Sequence, residues 1–197
     1  MTRARYLALS AAAVLGIAAA SLDPRTPKLV WNASASVPVG LYRIVPAGRL
    51  ATGDLVAVRP PAHLATFMVA RGYVGPDVPI LKRIMGFPGQ RLCRKGRTVT
   101  IDDMPLGTAR KRDSRGRALP DWQGCRRIAT DEIFLMNPAA GDSLDGRYFG
   151  PFPASAVIGR AIPIFTGEDG DGRLPWRADA VTARPSHFTA QKRRPSP

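Results

Sequence analysis

Glycine and proline interrupt this chain so often that short strands and turns are favoured over long helices. The 197 residues contain 19 glycines and 19 prolines, and both residue types weaken a helix interior. They punctuate the chain at Pro46-Ala47-Gly48, at Pro60-Pro61 and at Pro88-Gly89. Between these breaks lie short apolar segments, which are typical of strands joined by turns. The sequence therefore predicts one globular domain that is mainly β.

The candidate elements are correspondingly short. Alternating or apolar runs predict strands at residues 29–31, 41–45, 54–59, 79–87, 91–94, 98–101, 132–137 and 157–165. Residues 62–71 form the one convincing helix of the soluble part, with Gly72 placed to end it. A hairpin turn is predicted at Lys95-Gly96. Residues 102–125 are polar and basic and contain turn residues, so they are predicted to form an insertion or a long arm.

The N-terminal segment is apolar with a basic flank. Arg3 and Arg5 precede residues 6–22, which carry no charge. The pattern is typical of an export signal or a single membrane helix, although the run is short for a span and rich in alanine. A removed signal peptide and an Ala-rich soluble helix stay open as alternatives. By the positive-inside rule, everything after Pro24 would lie outside the cytoplasm.

These compositional changes predict three segments. Residues 1–24 are the membrane anchor or signal segment, and residues 25–166 are the globular domain. Residues 167–197 form a basic tail dominated by Gly, Pro, Arg and Asp, a composition that predicts disorder.

The charge balance is strongly basic, at +14 with a pI near 11.1. Such a charge suits nucleic acid, an anionic membrane surface or an acidic partner, and does not choose among them. The basic residues are spread through arms and tail, and no helix-turn-helix, zinc finger or aromatic stacking platform is visible. Nucleic acid is therefore not an expected partner.

The two cysteines, Cys93 and Cys125, form an even pair in a chain predicted to be exported. They are a possible disulfide, and two unrelated buried thiols are the alternative. Neither has a second cysteine or a histidine at ligand spacing, so no metal site is predicted. No cofactor motif is visible either.

Lys82 lies in an apolar run that ends at Pro88-Gly89. If this run is a buried strand, desolvation of the amine lowers its pKa by up to about 3–5 units and makes it a usable general base. The chain holds only two histidines, His63 and His187. A hydrolase built on this chain would therefore need a base of another kind.

Two serines in a turn, Ser34 and Ser36, could supply a nucleophile for that base. A serine hydroxyl needs a nearby base to remove its proton, and Ser-Lys pairs are one recurrent solution. Taken alone, such serines are usually turn residues, and strand lysines usually point to solvent. A third segment, residues 141–151, packs two carboxylates, an arginine and several turn residues into one loop.

Together these segments closely resemble the three conserved boxes of bacterial type I signal peptidases. The segment from Lys82 through Gly89 is the strongest match. Residues 32–42, with the pattern Asn-x-Ser-x-Ser-x-Pro-x-Gly-Leu-Tyr, are closer still to the TraF-type conjugal-transfer peptidases of that superfamily. The resemblance extends from the N-terminal segment to about Phe165, and it implies a signal-peptidase-like coiled β-sheet or barrel with one short helix, plus one N-terminal membrane helix.

The resemblance also implies roles for single residues. Ser36 falls on the nucleophile and Lys82 on the general base, while Ser34 falls on a hydroxyl that helps to stabilise the oxyanion. The supporting pair is Asp145 and Arg147, with Asp142 as a second candidate carboxylate. Gly146 stands where a serine often hydrogen-bonds the lysine, so the amine must find another partner here.

The implied function is a membrane-tethered serine endopeptidase that matures exported proteins. Its substrate would be a conjugative pilin precursor or another exported preprotein, cleaved and in some systems cyclised. The N-terminal segment would contact membrane lipid, with the catalytic domain in the periplasm of the bacterial inner membrane, or free in the periplasm if that segment is removed. A non-catalytic periplasmic scaffold of a pilus or secretion assembly is the alternative. A self-cleaving repressor is disfavoured by the absence of an N-terminal DNA-binding domain.

Overall fold

The computed structural model describes residues 3–21 and 27–167. Residues Arg3–Ser21 form helix α1. Within the described residues, no helix is both long and apolar enough to cross a membrane. The N-terminal membrane helix predicted from sequence is therefore not supported within these residues. The predicted tail lies, except for Gly167, outside the described residues.

Eleven strands lie in the described part of the chain and form two antiparallel sheets. In chain order they are β1 (Leu29–Asn32), β2 (Val39–Val45), β3 (Leu55–Val58), β4 (Ile80–Gly86), β5 (Arg91–Lys95), β6 (Thr98–Ile101), β7 (Met104–Thr108), β8 (Gly124–Arg127), β9 (Glu132–Met136), β10 (Phe152–Pro153) and β11 (Val157–Gly167). The larger sheet has the order β1-β2-β11-β3-β4-β9-β10. The smaller one, called the satellite sheet below, has the order β7-β6-β5-β8.

The centre of the larger sheet is covered on both faces. Along β3, Leu55 and Ala57 join one apolar cluster, while Val56 and Val58 join another. The alternation follows from the pleat, which sends successive side chains to opposite faces. Helix α2 (Ala62–Ala70) covers the second cluster with two buried side chains, those of Leu64 and Met68. Because both faces are covered, the strands at the centre can hold a charged group away from water.

The mainly β class predicted from sequence is confirmed. The predicted helix at 62–71 is α2, and two further short turns of helix lie near the C-terminal end, α3 (Gly146–Phe149) and a 3-10 turn at Ala154–Ala156. The larger sheet keeps two edges, β1 and β10, and is therefore an open sheet rather than a closed barrel.

The satellite sheet contains the hairpin predicted at Lys95-Gly96, where β5 and β6 pair. The prediction of an irregular arm at 102–125 was incomplete, because β7 and the start of β8 lie within it. These strands are ordered by packing, since Leu106 and Trp122 contact a third apolar cluster. That cluster includes Phe134 and Met136 of β9, so it joins the two sheets. The disulfide between Cys93 and Cys125 links directly opposed residues of β5 and β8.

Candidate active site

The two turn serines are held by Asn32, the last residue of β1. The Asn32 amide nitrogen donates to the carbonyls of Ser34, Val37 and Pro38 at 2.7, 3.1 and 3.1 Å. Its side-chain oxygen accepts from the Ser34 backbone N–H at 3.2 Å and from the Ser34 hydroxyl at 2.9 Å. A buried amide that bonds three carbonyls replaces the ladder that this turn lacks. Asn32 is part of the sequence pattern at residues 32–42, but its role in organising the turn was not predicted.

The hydroxyl oxygens of Ser34 and Ser36 lie 3.0 Å apart. Since the Ser34 hydroxyl donates to Asn32, the remaining polarity has Ser36 donating to Ser34. Ser36 is half-buried and Ser34 is exposed. The far side of the turn is fixed by the Tyr42 hydroxyl, which donates to the Pro38 carbonyl at 2.6 Å.

Lys82 lies in the middle of β4, paired with Val56 of β3, and only 4% of it is exposed. Its amine donates to the Ser143 hydroxyl at 2.7 Å. Burial lowers the pKa of Lys82 from 10.5 to about 8, against the opposing attraction of the Asp145 and Asp142 carboxylates, and the nearby Arg147 lowers it further. About a tenth of the amine is therefore neutral at pH 7, and about half of it at pH 8.

Ser143 is the hydroxyl partner of the amine. The sequence predicted only that another group must replace the hydroxyl missing at Gly146, and it did not single out Ser143. A Cβ at Gly146 would lie 2.5 Å from the Phe134 ring and 2.7 Å from the Leu135 carbonyl, so a side chain does not fit there. Ser143 lies in the same loop and is buried, and its side chain supplies the hydroxyl to the Lys82 amine.

The loop that carries Ser143 is organised by a buried ion pair between Asp145 and Arg147, which are 0% and 1% exposed. Two nitrogens of Arg147 donate to the Asp145 carboxylate at 2.9 and 2.8 Å. The same guanidinium donates to the carbonyls of Asn137, Ala140 and Ser143 at 3.2, 2.5 and 3.4 Å. The planar guanidinium of Arg147 reaches the carboxylate and the carbonyls at once through Nε and Nη2. The single amine of a lysine would not reproduce these hydrogen bonds. Arg147 therefore holds the loop in shape.

Asn137 connects this loop to the lysine strand. Its amide nitrogen donates to the Leu81 carbonyl at 3.1 Å, and its oxygen accepts from the Arg83 N–H at 3.0 Å. These are the backbone groups on either side of Lys82. Its own N–H donates to the Asp145 carboxylate at 3.0 Å. A side chain thus continues the β4–β9 ladder beyond Met136 and ties the ion pair to the base.

One cavity of about 490 Å³ brings the predicted residues together. Its lining includes Ser34, Ser36, Lys82, Asp142 and Ser143. Asp145 and Arg147 do not line it and act from behind. Within the described residues no hydrogen bond joins the Ser36 hydroxyl to the Lys82 amine. Each of the two groups is held instead by a neighbouring serine.

The other predicted site features lie away from this cavity. Cys93 and Cys125 are joined in the satellite sheet. Over residues 3–21 and 27–167, no cluster of three or more His, Cys, Asp or Glu side chains is arranged to hold a metal ion. The polar groups that line the cavity include the hydroxyls of Ser34, Ser36 and Ser143, the Lys82 amine and the Asp142 carboxylate.

This chemistry agrees with the comparisons with known proteins. The chain matches the family described as signal peptidase, peptidase S26, over residues 2–166. It belongs to that family, as its sequence motifs predicted, and so to a class of serine peptidases of the signal peptidase type.

Within the family, the similar proteins are conjugal transfer proteins. The chain is 37% identical over 145 residues to the probable conjugal transfer protein TraF of Sinorhizobium fredii, a match that covers 68% of this chain and 76% of that protein. It is 37% identical over 146 residues to the conjugal transfer protein TraF of Agrobacterium fabrum, covering 68% and 81%. It is 31% identical over 173 residues to a plasmid transfer protein TraF of Escherichia coli, covering 82% and 95%.

A signal peptidase I from Enterococcus faecalis V583 is a matching solved structure. The match has a TM-score of 0.36 and 17% identity, and it covers 58% of this chain and 97% of that chain.

Proposed function

We propose that this protein is a serine endopeptidase in which Ser36 is the nucleophile and Lys82 the general base. The observation that carries the proposal is the buried Lys82 amine, with its pKa lowered to about 8, lining the same cavity as the Ser36 hydroxyl. A desolvated lysine is the type of base that activates serine without a histidine. Ser143 orients the amine, and Asn32 shapes the turn that carries the nucleophile.

The proposed reaction begins when neutral Lys82 takes the Ser36 hydroxyl proton. The serine oxygen forms a bond to the scissile carbonyl carbon, and the negative charge passes to the carbonyl oxygen. The Ser36 N–H stabilises that oxyanion, and so does the Ser34 hydroxyl once its proton turns from the Asn32 oxygen to the substrate. One such donor is typically worth about 10²–10³ in rate. The carbon–nitrogen bond then breaks as Lys82 returns its proton to the leaving amine. Water hydrolyses the resulting ester, whereas an incoming amine would form a new peptide bond.

The proposed substrate is an exported protein, and specifically a pilin precursor of a conjugative transfer system. The support is the family membership together with the relatives, whose names describe conjugal and plasmid transfer. We place the catalytic domain on the periplasmic side of the cell envelope. The Cys93–Cys125 disulfide supports this location, because such bonds persist in oxidising compartments.

The test is processing of the cognate pilin by purified protein. Ser36→Ala and Lys82→Ala should each lower processing by about 10⁴-fold or more, since groups that act as a unit fail together. Lys82→Arg should be equally inactive, because guanidinium does not deprotonate in proteins. Lys95→Ala, at an exposed lysine of the satellite sheet, is the matched control and should process normally. Mass spectrometry separates the two outcomes of the acyl-enzyme, because a cyclised product is one water lighter than the linear one.

The alternative is a non-catalytic periplasmic scaffold of a pilus or secretion assembly. The observation that favours it is that the Ser36 hydroxyl and the Lys82 amine each bond a neighbouring serine rather than one another. No processing by the folded wild type, together with no reaction with serine-directed acylating probes, would establish the scaffold and reject the peptidase. Full processing by a folded Ser36→Ala or Lys82→Ala variant would instead reject the assignment of these two residues as the catalytic pair.

A further inference from the structure

A basic hairpin lies between β7 and β8, at residues 109–119, and is called the basic arm below. Its exposed side chains include four cations, Arg110, Lys111, Arg112 and Arg115. It is well ordered by its own contacts, since the Asp113 carboxylate accepts from the backbone N–H groups of residues 115 and 117 at 2.9 and 2.8 Å. A bridge between residues 112 and 118 closes it. The arm therefore presents its charges from a defined backbone.

One side of the arm is anchored to a wall of the cavity. The Tyr73 hydroxyl donates to the Asp113 carboxylate, and Tyr73 lines the cavity. Arg71 donates to the Ala118 carbonyl at 2.6 Å, and Arg117 donates to the Arg71 carbonyl at 3.1 Å. Although desolvation opposes it, the hydrogen bonds from Tyr73 and Arg117 hold the pKa of Asp113 below its usual range. The Asp113 carboxylate therefore anchors the arm through these hydrogen bonds.

The other side of the arm approaches the opposite wall. The Arg110 N–H donates to the Tyr148 hydroxyl at 3.0 Å, in the helix that follows the Asp145 cap. An Arg110 guanidinium nitrogen lies 3.6 Å from the position that a Cβ on Gly141 would take. Gly141 immediately precedes Asp142, which lines the cavity. The arm thus contacts Tyr73 and lies beside Gly141, two places that border the cavity, and none of its own residues is among those that line it. This border is called the rim below.

The cations on this rim differ from two exposed arginines of the satellite sheet that have carboxylate partners. Arg91 and Arg126 pair with Asp103 and Glu132. Among the described residues, no ion pair involves Arg110, Lys111 or Arg115. Two carboxylates lie nearby, those of Asp142 and of Asp77, which is next to the cavity-lining Val78. Four exposed cations against two carboxylates leave the rim positive.

We propose that the basic arm binds acidic side chains of the substrate polypeptide and so selects substrates with Asp or Glu near the scissile bond. The inference rests on the proposed peptidase function and names the substrate class for that site. The physical reason is complementarity, because a positive rim both attracts an acidic segment and disfavours a basic one. Each exposed charge pair contributes little, so we expect a preference of about three- to fivefold for glutamate over glutamine at a favoured position.

A randomised peptide library tests the proposal, with cut sites read by mass spectrometry. In the wild type, peptides cut in a Ser36-dependent manner should be enriched in Asp and Glu at one or more positions flanking the cut. The double variant Arg110→Glu/Arg115→Glu should lose this enrichment and favour Lys and Arg at the same positions. The matched control Arg43→Glu/Lys95→Glu changes the same charge at exposed residues outside the basic arm. It should keep the wild-type preference.

The outcomes separate the two proposals. Ser36-dependent cutting with no acidic preference, or a preference that survives in the arm variant, overturns the role of the arm and leaves the peptidase standing. No Ser36-dependent cutting at all overturns the peptidase and the arm's role with it. Sedimentation with phosphatidylglycerol vesicles is run in parallel. Vesicle binding that is lost in the arm variant, with an unchanged peptide preference, would show a lipid surface as the partner and would also overturn the proposal.

Discussion

The two sheets differ in where most of their charges lie, although Arg94 of the satellite sheet is also buried. In the larger sheet Lys82 is buried, and beside that sheet Asp145 and Arg147 are buried as well. Each of the three has hydrogen-bond partners. On the satellite sheet, pairs such as Arg91–Asp103 are exposed, and a disulfide holds the strands together. A buried charge depends on every one of its partners, whereas an exposed charge is solvated when a partner is lost. The larger sheet therefore specifies the chemistry, while the satellite sheet can change its surface at little cost.

Arg147→Met should break this contrast most strongly. It leaves the Asp145 carboxylate buried without its counter-ion and removes the nitrogen, Nη2, that contacts three loop carbonyls. We therefore expect a loss of about 3–5 kcal/mol in the free energy of unfolding. Arg91→Met, in the exposed pair, should cost less than about 1 kcal/mol. Urea denaturation followed by circular dichroism measures both. Equal losses in the two variants would show that burial does not separate the two sheets energetically.

Removing the disulfide should lower stability without removing the chemistry. Cys93→Ser/Cys125→Ser opens a connection of 32 residues, and the chain-entropy account gives a loss of about 3–4 kcal/mol. The cavity residues lie outside the disulfide loop, so the variant should process substrate at close to the wild-type rate under conditions where it is folded. Thermal unfolding and turnover measured on the same sample check both halves. Inactivity of the folded variant would contradict the separation.

Ser143→Ala should lower activity by about 100-fold while the protein stays folded. The change removes the acceptor that orients the Lys82 amine, and a misplaced catalytic group typically costs about that much. Ser143→Thr keeps the hydroxyl and should recover part of the rate. Steady-state kinetics with the cognate pilin measures the effect, which should fall on kcat more than on KM. An unchanged kcat would show that the amine needs no partner at this position.

The pH profile follows from the lowered pKa of Lys82. The base is active when neutral, so kcat/KM should rise by about tenfold per pH unit below pH 8 and level off above it. Lys95→Ala, on the satellite sheet, should leave the profile unchanged. An acidic limb with its midpoint near the ordinary lysine pKa of 10.5 would indicate that the amine is solvated in the working enzyme.

Trp122→Phe should have the smallest effect and tests the contact between the two sheets. The indole N–H donates to the Gly146 carbonyl at 3.2 Å, within the short helix that contains Arg147. Phenylalanine keeps most of the packing and removes one hydrogen bond, so we expect a loss of about 1 kcal/mol in stability. Arg94 donates to the adjacent Arg147 carbonyl at 2.7 Å and remains in place. A large loss of kcat at unchanged stability would mean that the satellite sheet controls the catalytic loop.

Much of the framework could be predicted because its signals are local. Apolar alternation and Pro or Gly breaks predicted strands at the positions of β1 to β6, β9 and β11, and the apolar run at 62–71 predicted α2. The order in the region 102–125 could not be predicted, because β7 and β8 are stabilised by partners distant in the chain. The sequence predicted that Lys82 needs a partner other than residue 146, but it did not identify Ser143. Motif spacing does not reveal that Phe134 occupies the space beside Gly146, or that Ser143 reaches the amine from the same loop.

The sequence by itself determined the β class, the family, and the residues in which the chemistry would be sought, because strand periodicity and motif spacing are properties of neighbouring positions. Only the tertiary structure decided that Ser143 is the partner of Lys82 and that Asn32 shapes the serine turn. It also decided that the basic arm contacts Tyr73, which lines the cavity. Each of these depends on side chains packing across strands and loops that are distant in the chain. Burial, which lowers the pKa of the lysine, is itself a property of the packed sheet.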